Sequence, residues 1–248
     1  MSAVVLSAKN ITKRFGGLTA VNDVSVDLWH GNIHAVIGTN GAGKSTLAHL
    51  ISGDLVPTSG CVSLQGKDVT GWAPEKLSRA GLGRSYQKTN VFLPLTVEDN
   101  VRLAAQSRTP HARRWLQRAA SVAAVGDRAN RAIEMCGLAQ RAHTIAGACS
   151  HGEQRQLEIA MALATEPQVM LLDEPLAGMG AAEAERMIQL LLTLKKDHAM
   201  MLVEHDMDAV FTLADHLTVM VNGQTIASGL PAQVRANPIV QSAYLGEE

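Results

Sequence analysis

The sequence predicts an α/β fold with a mostly parallel sheet, an N-terminal antiparallel β subdomain and an inserted helical subdomain. Three observations carry this. The N-terminal stretch reads as strands and turns. The second half alternates short apolar runs with helical stretches, which implies parallel strands joined by helices. Between them, about Val101 to His143, lies an Ala- and Arg-rich segment of helical character.

The elements follow in order. Val24, Val26 and Leu28 alternate with Ser25 and Asp27, the period-two pattern of a half-buried strand. Ile33 to Ile37 is a short apolar run ending in Gly38, as in a buried strand. From Ser45 the pattern turns helical through Leu47 and Leu50 to Gly53. Cys61 to Leu64 followed by Gln65-Gly66-Lys67 reads as a strand entering a tight turn. After the Ala/Arg segment come a helix (about Glu153 to Ala164), a strand (Val169 to Leu172), a helix (about Glu183 to Lys196) and a strand (Ala199 to Val203).

Composition bounds the function. The 248 residues suffice for a hydrophobic core, and 46% hydrophobic against 18% charged residues describe a folded chain, not a disordered one. The formal net charge is -1, so the overall basic balance of a nucleic-acid binder is missing. The neutral total hides an asymmetry. Between Arg102 and His143 stand eight Arg, no Lys and only Asp127 and Glu134 as acids, a local balance of +6. That segment reads either as solvated helix faces or as a surface toward an anionic membrane leaflet or a membrane-embedded partner. Cys61, Cys136 and Cys149 are too few and wrongly spaced for a disulfide framework or a Cys-rich zinc site, and a reducing compartment is expected. No basic n-region followed by a long apolar stretch opens the chain, and no apolar run approaches the roughly 18 residues of a membrane span. A chain that is soluble, or sits on a membrane without spanning it, is expected.

Two motifs carry chemistry. Gly38-Thr39-Asn40-Gly41-Ala42-Gly43-Lys44-Ser45, with Thr46 following, matches GxxxxGK[ST] between a buried strand and a helix. Glycines let the backbone wrap a phosphate and aim its N–H groups inward, and the helix adds its positive end. Lys44 is expected to reach the β- and γ-phosphates of ATP, and the Ser45 hydroxyl to coordinate Mg²⁺. The second motif is the apolar strand Val169 to Leu172 ending in Asp173-Glu174. Asp173 is expected to hold the metal and Glu174 to polarise the attacking water as general base. These are the marks of a P-loop NTPase.

Cys149-Ser150-His151-Gly152-Glu153-Gln154, running on into Arg155-Gln156-Leu157-Glu158-Ile159-Ala160, is similar to the signature sequence LSGGQ of the ATP-binding subunits of ABC transporters. The whole chain resembles that family. Gln87 falls at the Q-loop position, His205 at the switch-histidine position after an apolar strand, and Phe15 where an aromatic ring stacks on adenine. The resemblance implies one ATPase domain, with 1–86 and 151–248 as catalytic core and about 87–150 as helical subdomain ending in the signature loop. It implies ATP and Mg²⁺, with Gln87 acting at the metal and His205 at the γ-phosphate. It implies head-to-tail pairing with a second ATPase chain, identical or sister. Ser150 and Gly152, with Gln154 nearby, would then serve the nucleotide of the other chain. Two transmembrane permeases and an external solute-binding protein complete such a system, placing this subunit peripherally on the cytoplasmic face of the inner membrane, with no nucleic-acid partner. Phe15 could alternatively pack the N-terminal sheet.

Within the family the segment Gly152 to Ala160 resembles the subgroup for uptake of branched-chain and related amino acids, as does the C-terminal Ala243-Tyr244-Leu245-Gly246-Glu247-Glu248. That tail is also similar to the lipopolysaccharide-export ATPase. A non-transport ABC switch is the alternative from another class, disfavoured by the single domain and short insertion. Four positions depart from the common pattern: Thr39 for Pro, Cys149 for Leu, His151 for the first signature Gly, and Gly180 for Asp or Asn. Cys149 reads as a small apolar substitute for Leu.

Overall fold

A computed structural model describes residues 3–86, 90–107 and 118–242. The six-stranded sheet has the order β10-β9-β3-β8-β7-β6. These strands are β3 (Ile33–Gly38), β6 (Leu82–Arg84), β7 (Val169–Asp173), β8 (Ala199–Val203), β9 (His216–Val221) and β10 (Gln224–Gly229). All neighbouring pairs are parallel except β9 with β10. The N-terminal prediction of an antiparallel subdomain corresponds to a separate four-stranded sheet, β2-β1-β4-β5. It is made of β1 (Val4–Phe15), β2 (Leu18–Trp29), β4 (Ser59–Leu64) and β5 (Lys67–Asp68).

Alternation decides what each face of the main sheet covers. Met170, Leu172, Met200 and Leu202 face one way and share a core with α5 (His151–Leu163), α6 (Ala181–Leu194) and the inserted helices. Val169, Leu171, Met201 and Val203 face the other way, onto α1 (Lys44–Ile51) and the inner residues of β1 and β2, among them Leu6, Ile11, Val24 and Leu28. The insertion contributes α3 (Val97–Gln106) and α4 (Arg118–Met135), whose Val97, Val101, Ala129 and Ile133 join the first core. The helix α2 (Pro74–Ala80) leads into β6, and α7 (Met207–Leu213), α8 (Pro231–Arg235) and α9 (Pro238–Val240) follow later.

Four of the eight arginines between Arg102 and His143 pair with acids among the described residues. Arg102 pairs with Glu98, Arg128 and Arg131 with Glu166, and Arg141 with Glu153. Arg108, Arg113 and Arg114, and the tail from Ala243, lie outside the described residues. Among the described residues no helix is long and apolar enough to cross a membrane.

Candidate active site

Parallel pairing brings three loops to one sheet edge. In register, Val36 of β3 pairs with Val203 of β8, and Val203 with Asp173 of β7. The loop after β3, the acids ending β7 and His205 after β8 therefore leave the sheet side by side, at the carboxyl edge where open α/β sheets bind ligands.

The phosphate loop runs from Gly38 to the start of α1. Lys44 is buried and its Nζ donates to Gly38 O at 2.8 Å and Thr39 O at 3.0 Å, so the lysine already curls the loop around itself. Burial depresses its pKa, opposed by the nearby Glu174 and Asp173. Gly43 has φ 96°, and a Cβ there would sit 2.4 Å from Ala20 O, so this glycine answers both a left-handed turn and a close approach of β2. A cavity of about 580 Å³ opens over the loop. Phe15, Asn40, Gly41, Ala42, Gly43, Lys44, Ser45, Thr46 and Glu174 all line it. Gly38 is buried as the last residue of β3. Phe15 is 46% exposed at the cavity, not packed inside the N-terminal sheet, and Lys13 Nζ stands 5.1 Å from its ring centroid.

Asp173 lies beneath, 3% exposed, and its Oδ1 has no hydrogen-bond partner. Burial raises its pKa, with Arg84 the chief opposing charge. A buried, unpaired carboxylate oxygen beside a phosphate cradle fits a hard cation, which takes oxygen ligands. Glu174 adopts φ 49°, sparsely populated for any residue but glycine, and its N–H donates to Val203 O at 2.9 Å. That turn aims its half-buried side chain at the cavity mouth. His205 Nδ1 lies 3.9 Å from Glu174 Oε1 and 3.9 Å from Glu204 Oε2, with its ring open to solvent.

The signature residues stand elsewhere. Ser150 caps α5 by accepting the Glu153 N–H at 3.2 Å, while Glu153 accepts the Ser150 N–H at 2.8 Å. Gln154 turns inward and donates to Ala146 O and Cys149 O. Among the described residues, Ser150, Gly152 and Gln154 do not line the phosphate-loop cavity. Cys149 is buried in the shared core and burial raises its thiol pKa, as suits a replacement for leucine. Gln87 lies outside the described residues.

Sequence reading missed two supports. Glu204, buried next to His205, accepts N–H groups from Leu176 and His205. The β9–β10 turn carries Asn222 at φ 48° and Gly223 at φ 78°. Gly223 N donates to Ala42 O at 3.1 Å and Gly223 O accepts Asn22 N at 2.7 Å, bracing the phosphate loop against β2. The Asn-Gly pair between apolar runs is a hairpin signal the sequence does contain.

Comparison with known proteins agrees with this geometry. The family model described as ABC transporter matches residues 21–177, and that of the branched-chain amino acid ATP-binding cassette transporter matches 224–248. The high-affinity branched-chain amino acid transport ATP-binding protein BraF of Pseudomonas aeruginosa is 36% identical over 261 residues, covering 100% of both chains. The corresponding LivG protein of Escherichia coli is 35% identical over 260 residues, again 100% of both. A solved ATP-binding cassette of an ABC transporter, in its ADP conformation, has 31% sequence identity and TM-score 0.85, covering 99% of this chain and 100% of that one. With a phosphate loop, an acidic strand end and a histidine gathered at one sheet edge, and with relatives matching end to end, the chain belongs to the ATP-binding subunits of ABC transporters.

Proposed function

We propose that this chain binds and hydrolyses ATP to drive a membrane importer of branched-chain or related amino acids. The observation that carries the chemistry is that Lys44 and Glu174 line one cavity over a preformed phosphate loop, with the buried Asp173 carboxylate close enough to act on the Lys44 charge. The amino-acid assignment is supported by the full-length relatives, named as branched-chain amino acid transport proteins, and by the second family model over residues 224–248.

In this reading Lys44 exchanges its two carbonyl contacts for the β- and γ-phosphates. The loop amides from Asn40 to Thr46 cradle the phosphate chain, and Phe15 offers its exposed ring to the base. Ser45 and Asp173, with Gln87, would hold Mg²⁺, which when bound would supply charge neutralisation at the phosphate oxygens. Glu174 takes the proton from the attacking water, and His205 orients the γ-phosphate. The signature residues Ser150 and Gly152 act on the nucleotide of a second ATPase chain paired head to tail. The stretch of about 87–150 serves as the helical subdomain between the catalytic segments 1–86 and 151–248. Two permeases dock peripherally bound subunits at the cytoplasmic face, and an external solute-binding protein delivers the cargo.

The test uses Glu174→Gln. The purified variant retains ATP binding, loses hydrolysis by orders of magnitude and accumulates as an ATP-bound dimer. Wild-type specific activity rises with protein concentration. Cells lacking the gene lose uptake of labelled leucine, isoleucine and valine, and regain it with the wild type but not the variant. Wild-type hydrolysis by Glu174→Gln would refute the base, and undiminished uptake in the deletion would refute the cargo.

A further inference from the structure

The signature loop and the turn that opens α6 are joined inside one chain by Glu183. Its Oε1 accepts the Ser150 hydroxyl at 2.9 Å, and its Oε2 receives the Gly180 N–H at a longer 3.4 Å. Gly152 lies directly under the same group, since a Cβ there would stand 2.7 Å from Glu183 Cδ. A second contact runs alongside. A Cβ at Gly178 would stand 3.3 Å from the His151 ring, so the ring rests on the backbone of the loop that follows Glu174. Gly180 itself has φ −72°, ordinary for any residue, and offers no side chain to cap α6. Glu183 accepts the N–H of Gly180 across the first turn.

The N-terminal end of α5, whose dipole favours an anion, therefore already faces the Glu183 carboxylate of its own chain. Resting on the proposed reading, in which Ser150 serves the γ-phosphate of a second copy, we propose that Glu183 is a positioning residue that holds the Ser150 hydroxyl and yields it when the triphosphate arrives. A serine has one O–H to donate. In this structure Glu183 takes it, and a γ-phosphate oxygen must take it over. Two anions brought to the same hydroxyl also repel, so Glu183 sets the ATP concentration at which two chains close. Its release from Ser150 is felt at Gly180 and at the start of α6, so phosphate at the signature loop reports to the segment behind Glu174 within the same chain.

The test is made in the Glu174→Gln background, which traps the dimer, by titrating ATP and following dimer formation by light scattering. Glu183→Gln keeps the side-chain length and an acceptor for Ser150 but removes the charge. It lowers the half-maximal ATP concentration by about fivefold at low salt. The difference shrinks toward none at about 1 M salt, where charges farther apart than a few ångströms are screened. Glu183→Ala, which also removes the charge, shifts the requirement in the same direction even if its melting temperature falls. A purely structural Glu183 would change melting while leaving the ATP requirement unmoved by charge or salt. An unchanged or raised ATP requirement for both variants overturns the proposal. If Glu174→Gln alone forms no ATP-dependent dimer, head-to-tail pairing of identical copies fails, and this inference with it, while ATP binding and hydrolysis by the chain are tested separately.

Discussion

The N–H of Leu176, just beyond Glu174 in the chain, donates to the buried carboxylate of Glu204 at 2.9 Å. The other Glu204 oxygen receives the N–H of His205 at 3.1 Å. One side chain thus ties the loop after β7 to the loop after β8 and fixes Glu174, the proposed base, relative to His205. Burial raises the Glu204 pKa, opposed by the N–H groups of Leu176, His205 and Asp206 and by the His205 charge.

Glu204→Ala leaves the buried Leu176 N–H without a partner, which costs about 1–3 kcal/mol. Chemical denaturation is expected to show that loss. Hydrolysis is expected to fall at least tenfold, because Glu174 and His205 lose their common anchor. Glu204→Gln retains an acceptor in the same shape and keeps more of both. Equal activity of wild type and Glu204→Ala would show that the tie does not position the base.

Phe15→Ala separates binding from chemistry. The ring is exposed at the cavity and touches no reacting group. Losing one aromatic stack, worth about 1 kcal/mol, raises KM for ATP roughly fivefold with kcat little changed. Steady-state kinetics at saturating ATP makes the distinction. A variant with lower kcat and unaltered KM would place Phe15 in packing rather than in recognition.

His34 sets an acid limit on stability. It is buried at the start of β3, its Nδ1 shares a hydrogen bond with Asp27 O at 3.0 Å, and its Nε2 with Thr218 Oγ1 at 2.8 Å. Burial, the largest influence, pushes its pKa down to about 4 from 6.5. The unfolded chain therefore binds a proton at this residue between those values while the folded chain does not. Its contribution is whole above pH 6.5 and is lost as pH falls toward 4, roughly 3 kcal/mol in all. Melting temperatures recorded from pH 4 to 8 should fall on the acid side, and His34→Gln should flatten that slope. An unchanged slope would mean that other groups set the acid limit.

These tests probe a site that was only partly written in local pattern. The phosphate loop and the acidic end of β7 were legible because each packs its chemistry into consecutive residues. Strand β1 of the N-terminal sheet was not picked out by itself, because its buried residues Leu6, Ala8 and Ile11 are broken by register shifts, which obscures period two. Glu204 and Glu183 were invisible for another reason. Each acts on N–H or O–H groups of a distant segment, and nothing beside them in sequence marks a buried or bridging carboxylate. The +6 segment was legible as charge but not as pairing, since Glu166 and Glu153, which answer Arg128, Arg131 and Arg141, lie outside it.

The turn at Asn222-Gly223 has a consequence for the order of synthesis. The strands of β1 and β2 and the loop at Gly38 to Thr46 leave the ribosome early, but Gly223 supplies the N–H that holds Ala42 O, and β9 supplies the neighbour of β3. A nascent chain that has made its nucleotide loop therefore still lacks the floor beneath it. A chain ending before β9 is therefore expected to bind ATP more weakly than the full chain, because Ala42 and β3 lack these partners.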